Sequence, residues 1–266
     1  MIKLSVSNIA WDEAYDDMVY ALMQKRGFSG LEIAPTRIFR DNPYDHTGDA
    51  KIWAKNLQDK FGLTVSSMQS IWYGRTEKIF SSEHERETLL SYTKKAIDFA
   101  EAINCKNLVF GCPKNRVISD ISDYDSALEF FHELGEYARK HSTVIAMEAN
   151  PVIYGTNYIN TTHEAVDLVR RVCSDGFKLN LDTGTMIYGQ EDISVLYGIE
   201  NLINHIHISE PGLKPVHARE LHRELLSFVI ETGYQNFISL EAGKQESLIV
   251  LSGMMDYMTE TFNCCL

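Results

Sequence analysis

Short apolar runs alternate with amphipathic stretches along the whole chain. Eight runs have the length and composition of β-strands, and they cover residues 2–7, 30–34, 63–68, 107–111, 144–148, 177–182, 203–209 and 237–241. Between them, apolar residues recur at helical spacing, most clearly in residues 83–103, 125–140 and 218–232. Strands that alternate with helices predict a parallel sheet in an α/β protein.

Eight strand-plus-helix units account for the chain with no segment left over. The 266 residues are close to the ~250 typical of one eight-unit barrel. The pattern therefore favours a single (β/α)8 TIM barrel, with residues 1–266 forming one domain. A doubly wound open sheet is the alternative, but the chain has no GxGxxG or P-loop motif to support it.

Glycines precede several of the predicted strands. Gly27, Gly62, Gly176 and Gly233 each lie between an amphipathic stretch and the next apolar run. This position is typical of helix C-caps, which often need a left-handed backbone. We expect these glycines at the bottom of the barrel, where residues serve stability.

The composition narrows the classes of partner. A net charge of −12 disfavours nucleic acid, since phosphate binding needs a basic surface. The five cysteines are odd in number and form no CxxC pair, which predicts reduced thiols in a cytoplasmic protein. No basic, apolar leader opens the sequence, and no run reaches the ~18 apolar residues of a membrane span.

Four metal-competent side chains end the last four predicted strands. They are Glu148, Asp182, His207 and Glu241. Because parallel strands of a barrel end at one rim, we expect these side chains to converge there. The pattern predicts a divalent cation held by all four residues, whereas any one of them alone would be an ordinary polar strand end.

Small or polar residues lie two positions before these four, and they should face the barrel interior one layer lower. The residues are Ala146, Asn180, His205 and Ser239. They replace the bulky aliphatic side chains of an ordinary barrel layer. Such a polar layer could orient the ligands through hydrogen bonds.

The donor set limits the choice of cation. Three carboxylates and one imidazole suit Mn²⁺, Mg²⁺ or Co²⁺, with Zn²⁺ as a further candidate. Four protein ligands on an octahedral ion leave two positions open. A carbonyl and a neighbouring hydroxyl of a sugar could fill both.

The sequence around the four residues resembles a known family. Glu148 lies in MEAN, Asp182 in LDTG, His207 in HISE and Glu241 in SLEA. In this order they are similar to the xylose-isomerase-like TIM barrel superfamily, which includes sugar and sugar-phosphate isomerases and epimerases, related lyases and endonuclease IV-type enzymes. The resemblance covers essentially the whole chain. It implies that these residues bind the metal and that the two glutamates exchange protons with the substrate.

Two departures bear on the activity. The ketose-epimerase pattern Asp-x-x-His after strand six is here Asp182-Thr183-Gly184-Thr185, so Thr185 replaces a substrate-contacting histidine. The endonuclease branch needs additional histidines on strands three and four. Those strands end near Gln69 and Gly111, which argues against a DNA-repair enzyme.

Other rim residues are predicted to contact substrate. The candidates are Trp72, Lys114, Arg116, Asn150, Lys214 and Lys244. Loops after strands seven and eight often bind phosphate in barrels, which is the reason for including the last two lysines. For each lysine or arginine a solvated surface position is the alternative, and for Trp72 it is packing at the rim.

The first functional hypothesis is a metal-dependent sugar or sugar-phosphate isomerase or epimerase. Glu148 and Glu241, on strands five and eight, would move a proton by way of a cis-enediolate. The alternative is a lyase that dehydrates a keto-sugar or keto-inositol. A nucleic-acid hydrolase and a non-catalytic sugar-binding barrel are more remote. We expect a small sugar or sugar phosphate as the partner and no membrane, and leave homo-oligomerisation open.

Overall fold

The computed structural model describes residues 2–119, 123, 125 and 127–263. Eight parallel strands form one closed barrel in sequence order. The strands are β1 (Lys3–Ser7), β2 (Gly30–Ile33), β3 (Thr64–Met68), β4 (Leu108–Phe110), β5 (Ile145–Glu148), β6 (Phe177–Asp182), β7 (Ile203–Ile208) and β8 (Phe237–Leu240). Each strand lies within one of the predicted apolar runs, so all eight predictions are confirmed.

Closure of the sheet decides between the two architectures that the sequence left open. β1 pairs with β2 through Ser5 and Gly30, and with β8 through Lys3 and Phe237. Because the first and last strands are paired, the protein is a (β/α)8 barrel and not a doubly wound open sheet.

Helices connect the strands and surround the barrel. They are α1 (Asp16–Lys25), α2 (Pro35–Ile38), α3 (Thr47–Phe61), α4 (Glu83–Ala102), α5 (Leu128–Lys140), α6 (Thr162–Val172), α7 (Thr183–Gly189), α8 (Glu220–Glu231) and α9 (Leu248–Asn263). The three predicted amphipathic segments correspond to α4, α5 and α8. The predicted start of the second segment includes residue 126, which lies outside the described residues.

Side chains alternate along the strands between two different environments. In β6, Leu179 and Leu181 are buried towards the helices, while Asn180 between them faces the barrel interior. Phe177 of the same strand packs on Phe131 of α5 with ring centroids 5.2 Å apart. The apolar core therefore lies between strands and helices, whereas β6 directs polar side chains to the barrel interior.

The glycine predictions hold in three cases and fail in one. Gly62 caps α3 with φ of 69°, and its N–H donates to Gln58 O at 2.9 Å; Gly27 and Gly233 also have positive φ. Gly176 is different, because Cys173 occupies the left-handed position after α6. A Cβ at Gly176 would lie 2.0 Å from the carbonyl of Gly135 in α5, so close helix packing requires this glycine.

Two predictions from composition can be compared with the structure. Cys105, Cys112 and Cys173 are free thiols, whereas Cys264 and Cys265 lie outside the described residues. Within the described ranges, no helix has the length and apolarity needed to cross a membrane.

Candidate metal centre and substrate cavity

The carboxyl ends of the last four strands bring the four predicted ligands together. Glu148 and Asp182 are the last residues of β5 and β6, His207 lies near the end of β7, and Glu241 follows β8 directly. One donor atom from each lies within 4.8 Å of the others. The register supports this convergence, because Asp182 pairs with His207 across β6 and β7.

The imidazole of His207 is held from below and faces two carboxylates above. Its Nε2 lies 2.8 Å from Oε2 of Glu32 on β2. Its Nδ1 lies 2.8 Å from Glu148 Oε1 and 3.2 Å from Glu241 Oε2, yet it makes no hydrogen bond with acceptable geometry. In the neutral imidazole with Nε2 donating to Glu32, the lone pair of Nδ1 points towards the two glutamates. Burial lowers the pKa of His207, but Glu32, Glu241 and Glu148 outweigh burial and raise that pKa well above its ordinary value.

This geometry fits a divalent cation. A buried lone pair beside two carboxylate oxygens is repulsive unless a positive charge lies between them. An octahedral ion with bonds of about 2.1 Å places neighbouring ligand atoms about 3 Å apart. The observed separations of 2.8 and 3.2 Å match that spacing. Glu148, Asp182, His207 and Glu241 are therefore able to hold such an ion.

Glu148 is fixed by hydrogen bonds at both oxygens. Asn180 Nδ2 donates to Oε1 at 2.8 Å, and Asn150 Nδ2 donates to Oε2 at 2.9 Å. A Cβ at Gly111 would lie 2.9 Å from Oε2 of Glu148, so the end of β4 needs a glycine to leave room for this carboxylate. One residue of the predicted polar layer, Asn180, thus orients the candidate ligand Glu148.

The other two carboxylates differ from each other in their partners. Asp182 accepts hydrogen bonds from the N–H of Thr185 and from the hydroxyl of Ser209, both at 2.5 Å. Among the described residues, none makes a well-formed hydrogen bond to the carboxylate of Glu241, which lies 3.2 Å from His207 Nδ1. Burial raises the pKa of Asp182 to about 6, with a further contribution from Glu148, and burial raises the pKa of Glu241 to about 7.

These two carboxylates predict the pH dependence of cation binding. A cation needs both groups ionised, and their raised pKa values let protons compete already near neutrality. We expect affinity for Mn²⁺ or Mg²⁺ to be higher at pH 8 and to fall progressively as the pH drops through about 7 and then 6. Calorimetric titrations between pH 8 and pH 5 measure this change. Constant affinity over that range would contradict the ligand set.

A cavity of about 160 Å³ opens above the cluster at the carboxyl rim. Three carboxylates line it: Glu148, Asp182 and Glu241. The neutral polar residues that line it are Gln69, Ser70, Asn150 and Tyr154, and the apolar wall includes Val109, Cys112, Pro113 and Leu213. Carboxylates, neutral hydrogen-bonding groups and a short apolar wall suit a small polyol.

Three of the nine non-glycine residues with positive φ in the described part of the chain line this cavity. Ser70, Cys112 and Leu213, which follow β3, β4 and β7, have φ of 52°, 46° and 53°. Non-glycine residues rarely adopt this left-handed conformation, and leucine is an especially poor fit. Three such residues in one wall indicate a surface whose shape is maintained at a cost in stability, as is common at functional sites.

The predicted substrate contacts are only partly found at the cavity. Asn150 lines it, as expected. Trp72 does not: its ring is 3% exposed, packs on Phe110 and donates to Thr93 Oγ1 at 2.8 Å. Substrate contact by Trp72 was therefore an incorrect prediction, because this tryptophan belongs to the core between barrel and helices.

Arg116 also has a structural position. It is fully buried, and its guanidinium donates to the carbonyls of Glu148 and Tyr158, at 2.8 and 3.0 Å, and to Asn150 Oδ1 at 2.7 Å. Burial lowers its pKa to about 10. Arg116 thus fixes the loop after β5 and, through Asn150, the carboxylate of Glu148, in place of the predicted contact with substrate.

The three lysines lie outside the cavity wall. Lys114, Lys214 and Lys244 are not among the residues that line the cavity, and Lys214 is exposed. Lys244 is paired with Asp12 at 2.5 Å. The three lysines therefore occupy solvated surface positions, which was the alternative to substrate contact.

Sequence reasoning missed Glu32. This glutamate is fully buried in β2, where it contacts His207 at 2.8 Å and His205 at 3.2 Å. His207 and His205 lower its pKa far enough to outweigh the opposing effect of burial. The available signal was a charged residue inside the apolar run GLEIA, whose neighbours Leu31 and Ile33 face the opposite side.

Glu32 should matter for the metal although it does not line the cavity. Replacement of Glu32 by glutamine removes the negative charge that fixes the Nε2–H tautomer of His207. Loss of such an outer partner typically costs about 10- to 100-fold in metal affinity, and we expect a decrease of that size. Calorimetric titration with Mn²⁺ measures it, with the exposed Glu83→Gln as control. Equal affinities for the two variants would contradict the positioning role.

The fold and the cluster together define a (β/α)8 barrel with an oxygen-rich cluster at its rim that could hold a cation. A family model described as xylose isomerase-like TIM barrel matches residues 20–252, and the chain belongs to this family. The family resemblance seen in the sequence is thus confirmed. The search among curated proteins found no match.

Solved structures of similar fold include two sugar epimerases. D-psicose 3-epimerase from Clostridium cellulolyticum H10, solved with D-tagatose, has a TM-score of 0.79 and 17% identity, covering 99% of this chain and 100% of that one. The 3-keto-D-glucoside 4-epimerase from E. coli has a TM-score of 0.77 and 17% identity, covering 99% and 100%.

A family 2 AP endonuclease from Brucella melitensis is similar to the same degree. Its TM-score is 0.77 and its identity 17%, and the match covers 97% of this chain and 99% of that one. Because sugar epimerases and an AP endonuclease share this barrel, the fold alone does not separate the two activities. The residues of the site must do so.

Proposed function

We propose that this protein is a sugar isomerase or epimerase that depends on a divalent cation. The observation that carries the proposal is the position of Glu148 and Glu241 on either side of His207 Nδ1, at 2.8 and 3.2 Å, in the floor of a small polar cavity. Two carboxylates that flank one bound molecule can remove a proton on one side and return it on the other.

The four-residue cluster supports a cation as cofactor. Three carboxylates and one imidazole favour Mn²⁺, Mg²⁺ or Co²⁺, with Zn²⁺ as a further candidate. When bound, such a cation supplies Lewis-acid polarisation of a carbonyl and stabilises developing negative charge on oxygen. The acidic charge and the free thiols support a cytoplasmic setting, and the single barrel supports one domain for residues 1–266.

Glu241 is the better candidate for the group that moves a proton. Burial raises its pKa to about 7, and none of the described residues makes a well-formed hydrogen bond to its carboxylate, which lies 3.2 Å from His207 Nδ1. It can therefore take up or release a proton at Oε2 without breaking a hydrogen-bond network. Glu148, with both oxygens already occupied by amide donors, is the more rigid partner.

Tyr154 can bind a substrate hydroxyl. Its phenolic oxygen accepts a hydrogen bond from the N–H of Gly212 at 2.9 Å, and the ring lines the cavity. Burial raises its pKa to about 12, so the phenol keeps its proton as a donor. This contact also joins the loops after β5 and β7, which helps to exclude water.

Exchange of substrate hydrogen with solvent tests the proposal. In D₂O with Mn²⁺ or Mg²⁺, the protein should incorporate deuterium next to the carbonyl of at least one ketose or sugar phosphate, as measured by NMR. Protein treated with a chelator is the control. Absence of exchange in every sugar tested, with metal bound, would rule out the enediolate route.

The same incubation separates the competing activities. A dehydratase acting on a keto-sugar or keto-inositol would generate a conjugated enone, visible as a rise in ultraviolet absorbance. Thr185, which stands where the ketose-epimerase pattern has a substrate-contacting histidine, bears on this alternative. Its hydroxyl donates to Ala149 O at 2.7 Å and does not line the cavity, so Thr185 does not take over the substrate contact of that histidine. Nicking of an abasic-site duplex would indicate the hydrolase, which lacks support because Gln69 and Gly111 occupy the ends of β3 and β4.

A further inference from the structure

The cavity above the metal cluster contains no positive charge from the protein. Its three carboxylates would leave a net negative charge even with a divalent cation bound. None of the described residues that line it is a lysine or arginine. No lysine, arginine or histidine occurs among the residues that the structure does not describe, which are 1, 120–122, 124, 126 and 264–266. An anionic group inside this cavity would therefore meet a net charge of its own sign, even with the cation bound.

The loops that usually bind phosphate in a barrel contribute no cationic side chain to the cavity wall here. TIM barrels commonly bind phosphate with the loops after strands seven and eight. In this protein those loops contribute Leu213 and Glu241 to the cavity wall. One is apolar and the other is acidic. Lys214 follows Leu213 immediately, but its side chain is exposed and does not line the cavity.

Three other cations lie in a neighbouring groove, and each has an acidic partner. Arg37, Arg40 and Lys244 line a groove that meets the cavity at Ser70. Arg37 pairs with Asp16 at 2.8 Å, Lys244 pairs with Asp12 at 2.5 Å, and Arg40 pairs with Glu13. A phosphate in the groove would have to displace a carboxylate.

Leu213 is held in place at the cavity wall by its backbone. It has a φ of 53°, its N–H donates to Glu210 O at 2.9 Å, and its carbonyl accepts from Gly243 N–H at 2.8 Å. These two bonds keep a leucine in a conformation that leucine rarely adopts. An apolar side chain is thus fixed where other barrels place a phosphate-binding group.

We propose that the cavity takes an uncharged sugar and that Leu213 is the specificity residue that excludes phosphate esters. This inference rests on the proposed function and narrows it to unphosphorylated substrates. Gln69, Asn150 and Tyr154 supply neutral groups for the hydroxyls. The apolar side chain of Leu213 offers a phosphate neither a hydrogen bond nor a charge in return for its lost water.

Matched pairs of sugars test the inference by binding and by exchange. D-fructose, D-tagatose and D-ribulose are each compared with their terminal phosphate esters on the Mg²⁺-loaded protein. Calorimetry measures affinity, and NMR in D₂O measures exchange. At least one free sugar should bind about 10²-fold or more tightly than its ester, as like charges in one cavity imply.

Substitutions at position 213 identify the responsible residue. Leu213→Lys should narrow the preference for the free sugar by at least about tenfold, because it adds a cation to the wall. Leu213→Gln is the matched neutral control; it adds a hydrogen-bond donor without a charge and should narrow the preference less than Leu213→Lys does. Lysine and glutamine are unbranched at Cβ, so neither adds the crowding of a β-branched side chain to the left-handed backbone. Thermal unfolding compares the stabilities of the two variants.

The outcomes separate the inference from the proposed function. Binding of a free sugar without exchange would overturn the proposed chemistry and leave the inference standing. Tighter binding of an ester by the unmodified protein would overturn the inference, and loss of that binding in Lys244→Met would place the phosphate in the groove. Binding of none of the six compounds, or equal effects of lysine and glutamine at position 213, would also overturn it.

Discussion

Replacing Glu241 with glutamine should remove most of the turnover and leave the cation bound. Glutamine keeps the shape of the side chain and one coordinating oxygen, but it cannot accept a proton from substrate. Among the described residues, none makes a well-formed hydrogen bond to this carboxylate, and with Nε2 of His207 donating to Glu32, its Nδ1 can accept from the new amide. We expect the turnover rate to fall by at least the ~10²–10⁴ that general acid–base catalysis contributes.

The measurement needs turnover and metal content on the same sample. Glu246→Gln, a position in the same loop that does not line the cavity, is the matched control and should keep normal activity. Glu148→Gln should also be inactive, but its amide would face the Nδ2 donor of Asn180 or of Asn150, so metal loss is expected as well. Near-normal turnover of Glu241→Gln at saturating cation would mean that Glu241 is only a ligand and that the two-base mechanism is wrong.

The fold and the ligand cluster could be predicted because both follow from chain order. Strand alternation fixes which residues face inward, and parallel strands end at one rim. Glu148, Asp182 and His207 therefore converge whatever the detailed packing. The same reasoning identified Asn180 and His205 in the layer below, where the structure shows them bonded to Glu148 and close to Glu32.

The remaining parts of the site depend on loops, whose paths the sequence pattern does not determine. Arg116 was expected at the rim, but it turns inward to donate to main-chain carbonyls of the loop after β5. Trp72 packs into the core instead of the cavity. Nothing in the local pattern distinguishes these positions from exposed ones, because the partners of each residue lie far away in sequence.

Glu32 was missed for a different reason. It lies on β2, while the cluster was sought among the last four strands, where the ends are acidic or basic. A barrel closes on itself, so β2 faces β7 across the interior, and the carboxylate of Glu32 reaches Nε2 of His207 from there. Long-range contacts of this kind require the closed geometry and cannot be deduced from one strand at a time.

Asp182→Asn should have opposite effects on the metal-free and metal-bound protein. The folded-state pKa of Asp182 is raised to about 6, above its ordinary value, so the buried charge costs stability as the pH rises through about 6. Asparagine carries no charge and avoids this cost. At pH 8 without metal, the variant should therefore unfold at a higher temperature than the unmodified protein, and at pH 5 the difference should shrink.

With metal bound, the unmodified protein should unfold at the higher temperature, since asparagine removes one of three anionic ligands. We expect Mn²⁺ affinity to fall by more than the roughly 10- to 100-fold caused by loss of an outer partner, and activity to fall with it. The local fold should tolerate the change. The amide oxygen of the introduced asparagine can still accept from Thr185 N–H, its amide nitrogen can donate to Ser209 Oγ, and asparagine caps helices well.

The matched control is Asp192→Asn, because Asp192 is also a helix cap and accepts from Ser194 N–H at 2.8 Å. Unchanged Mn²⁺ affinity in Asp182→Asn would remove Asp182 from the ligand set, and a loss of stability in both states would assign it a structural role in holding Thr185 and Ser209.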